Sequence, residues 1–229
     1  NRLSLGLQSP QNRELKILGR IHTWEEFQES FFMARDAGFS NINIDLMSAI
    51  PEQTYADWEK NLRTVAGLSP EHISAYSLII EEGTPFGERK LKLPDEDTEY
   101  RMYENTAGIL EEYGFHQYEI SNYAKGGREC RHNKGYWQRI DYLGLGLGAS
   151  SYMEGCRFTN EKDLDKYLAL DFGEEDPEKR ETALRKLWGQ IEELSQAQRM
   201  EEFMFLGLRL MEGVSGTEFF SRFGQNMWN

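Results

Sequence analysis

The sequence lacks the features that mark several classes of protein. It contains only two cysteines, Cys130 and Cys156, which is too few for a disulfide framework. None of its apolar runs approaches the roughly 18 residues that a membrane-spanning helix requires. It also has no basic start followed by an apolar region, the mark of a signal peptide. These absences predict a cytoplasmic protein without stable membrane insertion.

Positive charge is scarce as well. The chain has 26 Lys and Arg residues against 39 Asp and Glu residues, a net charge of −13. Proteins that bind nucleic acid or anionic lipid usually present a basic surface, so this balance argues against both partners. Aromatic residues make up 13% of the chain, which is typical of a folded core and not of disorder.

The first 120 residues alternate between strand and helix patterns. Leu3–Leu7, Ile42–Met47 and Ile73–Ile80 are predicted strands, and the segments between them have apolar residues at helical spacing. Thr23 with Glu26 predicts a capping box, and Thr54 predicts a second N-cap. Successive strand–helix units are typical of a parallel α/β sheet with right-handed crossovers.

The pattern changes from His116 onwards. Residues 116–120 are predicted as a short strand, 121–139 as a loop and 156–160 as another strand. The charged segment 171–180 is predicted as a solvated link or the exposed start of a helix, and residues 197–211 as an amphipathic helix. The fold class is therefore α/β, followed by a smaller α+β or helical region. Since the chain starts without Met, we expect a fragment of a longer protein.

In parallel α/β sheets, ligands bind at the carboxyl ends of the strands. The polar residues that close the predicted strands are Gln8, Ser9, Asp45, Ser77 and Glu81. We therefore expect a binding site to include some of these side chains.

Two motifs elsewhere carry little functional weight. Gly144-x-Gly146-x-x-Ala149 has the glycine spacing of a dinucleotide fingerprint, but no helix pattern follows it. Its glycines more simply permit close backbone packing. Cys130-x-His132 has metal-binding atoms without the spacing of a structural zinc site.

The segment from His132 to Trp137 is more unusual. His132 offers an imidazole nitrogen to a metal, and Tyr136 and Trp137 offer flat faces for stacking on a planar ligand. The alternative is a loop histidine whose neighbouring aromatics anchor the loop on the core. The residues alone leave both interpretations open.

Several segments together resemble the coproporphyrinogen-oxidase-like branch of the radical S-adenosylmethionine (SAM) enzymes, and within it the haem-chaperone group. They occur in the order of that family over residues 2–152, and weaker similarity continues to Gly224. The segments are Arg2–Ser9, Leu18–His22, Asn41–Leu46, His72–Ile80, Gly83–Phe86, Tyr118–Asn122, Cys130–Trp137 and Asp141–Gly146.

The resemblance implies a partial (β/α)6 barrel whose C-terminal strand–helix units occupy residues 1–122. Residues 123–229 would then form the C-terminal region of that family, in truncated form. The barrel holds a [4Fe-4S] cluster through a three-cysteine loop, and SAM binds its open iron. That loop is expected upstream of this chain, because neither Cys130 nor Cys156 lies in such a motif.

The resemblance also assigns residues to SAM. Gln8, Arg20, Asp45, Met47 and Ile79 occupy positions that line the SAM pocket in this family. Arg20 would bind the methionyl carboxylate through its rigid fork of donors. Asp45 would accept hydrogen bonds from the ribose hydroxyls. The alternatives are that Arg20 pairs with a surface acid and that Asp45 merely caps a strand.

For the second region, the resemblance implies haem binding. The haem-chaperone group carries a His-Asn-x-x-Tyr-Trp motif, and this sequence retains it as His132, Asn133, Tyr136 and Trp137, with His132 as the iron ligand. The implied function is a haem chaperone that delivers haem to acceptor proteins and is able to form a homodimer. The alternative is an oxygen-independent oxidoreductase that decarboxylates coproporphyrinogen III.

The sequence departs from the family pattern at three places. Ser48–Pro51 reads Ser-Ala-Ile-Pro where Tyr-Gly-Leu-Pro is usual, so Ala49 replaces a glycine. Ser150 replaces a histidine that would offer a second haem ligand, and Pro10 replaces an aromatic or small residue.

Overall fold

The computed structural model of the chain describes residues 1–173 and 176–228. It divides into two compact units in sequence, residues 1–130 and residues 131–229. The boundary predicted after residue 122 falls within a strand of the first unit (Asn122–Ala124), and the compact unit continues to Cys130. No helix in the described ranges is both long and apolar enough to cross a membrane.

The first unit is a five-stranded sheet with helices between its strands. Its elements are β1 (Leu3–Gln8), α1 (Asn12–Ile17), α2 (Trp24–Asp36), β2 (Ile42–Ser48), α3 (Tyr55–Gly67), β3 (His72–Ser77), α4 (Glu96–Glu111), β4 (His116–Glu119) and β5 (Asn122–Ala124). The strand order is β1-β2-β3-β5-β4.

The predicted parallel arrangement is confirmed for β1, β2 and β3. The prediction of a loop from residue 121 was wrong at its start, because β5 pairs antiparallel with both β3 and β4. Strand β3 ends at Ser77, so the last three residues of the predicted strand, up to Ile80, lie outside it.

The two long helices of the first half begin where the sequence predicted. Thr23 and Thr54 each accept a hydrogen bond from the third residue of the helix and receive the reciprocal side-chain contact, from Glu26 and Asp57 respectively. Each capping box satisfies two amide groups that a helix start otherwise leaves unpaired.

The helices cover one face of the sheet. Alternate strand residues, Leu7, Ile44 and Ile73, pack against Phe31 and Trp58 from the helices, and all are buried. The opposite face of the same strands carries polar residues at the alternating positions. They are Ser4 and Gln8 on β1, Asn43 and Asp45 on β2, and His72 and Ser74 on β3.

The second unit is smaller and mixed. Its elements are α5 (Arg131–Trp137), β6 (Ser150–Met153), β7 (Cys156–Thr159), α6 (Leu164–Leu168), α7 (Pro177–Trp188), β8 (Glu192–Glu193), α8 (Gln196–Gly207) and α9 (Gly216–Phe223). Strands β6, β7 and β8 form an antiparallel sheet.

Two predicted segments of this unit, the loop and the charged segment, contain helical residues. The predicted loop over 121–139 was wrong for residues 131–137, which form α5. Within the charged segment 171–180, α7 begins at Pro177 with Asp176 as its N-cap, which confirms a helix start there. Residues 174 and 175 of that segment lie outside the described residues.

Candidate functional site

The end of β1 has an unusual backbone. Gln8 has φ of +71°, a left-handed conformation that costs a non-glycine residue about 1–2 kcal/mol. The pairing of β1 with β2 shifts register between Gly6 and Gln8. A methyl group at Gly6 would lie 3.1 Å from Gln8 Nε2. The Gln8 amide therefore lies over Gly6, in space that a larger residue would fill.

A buried polar cluster fixes the segment that follows Gln8. The Glu14 carboxylate accepts hydrogen bonds from Ser9 Oγ at 2.6 Å, Gln53 Nε2 at 3.0 Å and Asn61 Nδ2 at 2.8 Å. All four side chains belong to residues no more than 3% exposed. The cluster joins the end of β1 to the start and middle of α3, and it was not predicted from the sequence.

Asp45 does not occupy the position in its strand that was predicted from the sequence. It lies in the middle of β2, paired with Gly6 of β1 and Ser74 of β3, so its assignment to a carboxyl end was wrong. Its Oδ1 accepts from Asn43 Nδ2 at 2.7 Å and its Oδ2 from Ser4 Oγ at 3.2 Å. Asp45 does not cap a strand. Each of its oxygens retains a lone pair for a further donor.

Arg20 lies in the segment after α1, near the end of β1. His22, two residues later, contacts the carbonyl oxygen of Leu7 through Nε2 at 3.2 Å. The Arg20 guanidinium forms no ion pair with any residue in the described part of the chain, so the alternative of a surface ion pair has no support there. The side chain is exposed.

The two apolar residues assigned to SAM, Met47 and Ile79, lie near the carboxyl ends of β2 and β3. Met47 is part of β2 and half-buried. Ile79 lies beyond the end of β3, and its side chain is 78% exposed. The neighbouring Leu78 amide donates to the Ser48 carbonyl at 2.9 Å, which holds this segment beside the end of β2.

These five side chains suit the parts of SAM. The unpaired guanidinium of Arg20 suits a carboxylate, and Asp45 retains acceptor capacity for hydroxyl groups. Met47 and Ile79 provide apolar contact for a purine, and the Gln8 amide, which lies over Gly6, adds a polar group. Their binding role stays a prediction.

His132, the predicted iron ligand, lies in α5. Its Nε2 is 2.8 Å from the hydroxyl of Tyr136, one helical turn later, and the two rings meet edge to face at 4.6 Å. The imidazole is exposed. Among the described residues, no group of three or more His, Cys, Asp or Glu side chains is placed to hold a metal ion. The geometry fits a single histidine ligand, provided that the Tyr136 hydroxyl releases Nε2.

The other residues of the predicted haem motif are partly buried. Tyr136 also packs edge to face on Tyr142 at 4.7 Å. The Arg209 guanidinium lies 4.2 Å from the centre of the Trp137 ring, so one face of this indole is already occupied. Trp137 Nε1 is buried, and none of the residues that the structure describes forms a hydrogen bond with it. Asn133 is half-buried beside His132.

Two of the departures from the family pattern have local consequences. Ala49 adopts φ of +57° and is buried, so it takes a conformation that suits glycine at the position where glycine is usual. Ser150 Oγ lies 3.0 Å from Thr159 Oγ1 across β6 and β7, and it lacks the imidazole of a second iron ligand.

Comparison with known proteins supports the family resemblance. Residues 1–65 match the model of the Radical SAM superfamily. Residues 194–229 match the model of the HemN C-terminal domain.

Individual relatives extend these matches over the chain. The chain is 38% identical to the heme chaperone HemW of Bacillus subtilis, over 99% of this chain and 58% of the relative. It is also 38% identical to HemW of Lactococcus lactis, over 97% of this chain and 57% of the relative. The chain thus spans a little over half the length of these curated relatives.

A solved structure shows the same fold. Coproporphyrinogen III oxidase (HemN) of Escherichia coli, described as a radical SAM enzyme, matches with a TM-score of 0.76. The match covers 98% of this chain and 53% of HemN, at 21% identity.

The fold and the matches together define a radical SAM protein, and the chain belongs to that superfamily. The chain is also similar to the haem chaperones named HemW, and its C-terminal residues resemble the HemN C-terminal domain. The predicted family and fold class are confirmed.

Proposed function

We propose that this chain belongs to a haem chaperone of the radical SAM superfamily, which binds haem and delivers it to acceptor proteins. The observation that carries the proposal is the intact motif of His132, Asn133, Tyr136 and Trp137, with an exposed imidazole at its start. The names of the HemW relatives support it. HemN supports only the fold, so the alternative of a coproporphyrinogen oxidase has no separate observation in its favour.

Two further cofactors belong to the proposal. SAM would bind across the polar face of the first unit, and a [4Fe-4S] cluster would be held by cysteines outside this chain. When bound, this pair supplies radical chemistry. The residues of this chain would bind and orient SAM: Arg20 its carboxylate, Asp45 its ribose, Met47 and Ile79 its adenine, and Gln8 a polar group nearby.

Haem would bind through the imidazole of His132. The iron ligand must be a nitrogen lone pair, and Nε2 shares a hydrogen bond with the Tyr136 hydroxyl. Haem binding at Nε2 therefore requires the Tyr136 side chain to turn away from the imidazole. The proposed partners are haem-acceptor proteins, with a second copy of the chain as a further candidate. A cytoplasmic location stays a prediction.

Replacing His132 with alanine tests the haem role. We expect haem titration of the wild-type chain to give a shifted Soret band, and His132→Ala to lower haem affinity at least about tenfold, which is about 1.4 kcal/mol. The measurement is a spectrophotometric titration with haem. His116 is exposed and pairs with Glu129 at 3.1 Å outside this motif, so His116→Ala is the matched control. An unchanged Soret band in His132→Ala would contradict the proposal.

Replacing Tyr136 with phenylalanine tests the hydrogen bond that covers Nε2. Phenylalanine keeps the ring but removes the competing hydroxyl, and one hydrogen bond contributes about 0.5–1.5 kcal/mol. We therefore expect Tyr136→Phe to raise haem affinity about two- to tenfold in the same titration. Tyr142→Phe, one ring further from His132, should leave the affinity unchanged. A lower affinity in Tyr136→Phe would mean that the hydroxyl assists binding.

A further inference from the structure

A row of polar residues, exposed at Ser4 and buried at its other two positions, crosses the polar face of the sheet next to Asp45. Ser4 pairs with Asn43, and Asn43 pairs with His72, at matching positions of β1, β2 and β3. Asn43 is 4% exposed and His72 is 1% exposed. Polar groups this deeply buried are costly unless they are hydrogen-bonded, so their partners are informative.

Asn43 uses its full hydrogen-bonding capacity. Its Nδ2 donates to Ser4 Oγ and to Asp45 Oδ1, both at 2.7 Å. Its Oδ1 accepts from His72 Nδ1 at 2.6 Å and from Ser74 Oγ at 3.1 Å. A flipped amide would set oxygen against the Asp45 carboxylate and nitrogen against two donors. The orientation of Asn43 is therefore determined by its partners.

His72 is held in one tautomer by its neighbours. Since Asn43 Oδ1 is an acceptor, His72 Nδ1 carries the proton, and Nε2 accepts from the Tyr118 hydroxyl at 2.8 Å. Burial, and next the positive charge of Arg2, lower the pKa of His72 to about 3, which keeps the ring neutral. The Tyr118 hydroxyl in turn accepts from the Cys130 amide at 3.2 Å.

We propose that Asn43 and His72 are positioning residues that hold the Asp45 carboxylate in place for the ribose hydroxyls of SAM. This inference rests on the SAM role proposed above. Asp45 is half-buried, while the residues that orient it are buried. A carboxylate fixed before binding loses less side-chain freedom when it meets a vicinal diol, and preorganisation of this kind favours affinity.

The test compares two ligands, SAM and its 2′,3′-dideoxy analogue, by equilibrium dialysis against the full-length protein loaded with its [4Fe-4S] cluster. We expect the wild-type chain to prefer SAM. Asn43→Ala should weaken SAM binding about tenfold and leave binding of the dideoxy analogue unchanged. A variant that only disturbed the fold would lower the affinity for both ligands by the same factor. Tyr118→Phe, which keeps the ring volume, should give a smaller loss of the same kind, about two- to fivefold, through one hydrogen bond.

Two controls separate the possible failures. Asn122 is equally buried in the same sheet and bonds to Glu119, so Asn122→Ala should leave the preference for SAM intact. Asp45→Asn should abolish that preference. If Asp45→Asn retains it, or if the wild-type chain binds neither ligand, the SAM role is overturned and this inference with it. If Asp45→Asn loses the preference while Asn43→Ala and Tyr118→Phe retain it, only the positioning role is overturned.

Discussion

Replacing Glu14 with alanine is expected to lower the free energy of unfolding by about 3–5 kcal/mol, because three buried donors lose their acceptor and each unsatisfied buried group costs about 1–3 kcal/mol. The carboxylate is fully buried and accepts from Ser9, Gln53 and Asn61. Alanine would leave these three side chains without their shared acceptor and would open a cavity beside α3. Urea unfolding followed by circular dichroism gives the measurement.

A matched exposed acid provides the control. Glu59 lies on α3 and pairs with Arg63 at 3.0 Å, with both side chains more than a third exposed. Glu59→Ala should cost less than about 1 kcal/mol, as exposed ion pairs do. Equal losses for the two variants would mean that the buried cluster contributes no more than a surface pair. Because the cluster begins one residue after Gln8, Glu14→Ala should also loosen the strained end of β1.

Acidification is expected to destabilise the chain through His72. Its folded-state pKa is about 3 against an ordinary value of 6.5. The contribution of neutral His72 to the free energy of unfolding is therefore fully present above pH 6.5. It is lost as the pH falls towards 3, since only the unfolded chain takes up the proton. The slope is about 1.4 kcal/mol per pH unit, or roughly 2 kcal/mol between pH 6.5 and 5.

The measurement is urea unfolding at several pH values between 7 and 5. His72→Gln removes the titrating group, so its stability should fall less steeply than that of the wild-type chain over this range. His116→Gln replaces an exposed histidine and should keep the wild-type slope. A wild-type slope that matches that of His72→Gln would show that His72 gains its proton equally in both states.

Local signals in the sequence predicted much of the first unit. Thr23 forms the predicted capping box with Glu26, and Thr54 is the predicted N-cap, which also forms a capping box with Asp57. The strands β1 and β2 were predicted from their apolar and β-branched residues, and both are present. These features depend on neighbouring residues, which is why they can be predicted without knowing the fold.

The elements that were missed depend on distant contacts. Strand β5 has only three residues, Asn122–Ala124, and forms because β3 and β4 each present an edge to it. Helix α5 contains Gly135, Asn133 and three aromatic residues, His132, Tyr136 and Trp137, a composition that does not favour a helix in isolation. The position of Asp45 was wrong because the polar residue was taken to end its strand.

The candidate site was predicted unevenly. The family resemblance identified Asp45 and His132. The residues that orient Asp45 were not predicted, and Tyr136, which contacts His132, was predicted as a haem-binding residue instead. Asn43 and His72 look like ordinary polar residues in a strand until the pairing of β2 with β3 brings them together. The Ser9 and Glu14 cluster likewise needs Asn61 from α3 and Gln53 from the segment just before that helix.

The bond between Tyr118 and the Cys130 amide has a consequence for the junction of the two units. Cys130 is the last residue of the first unit, and its peptide group is tied to a side chain that also contacts His72. The peptide group at which the chain leaves the first unit is therefore held by a hydrogen bond. A force applied at residue 131 would therefore reach the buried His72 through the Tyr118 hydroxyl, in addition to the path along the chain.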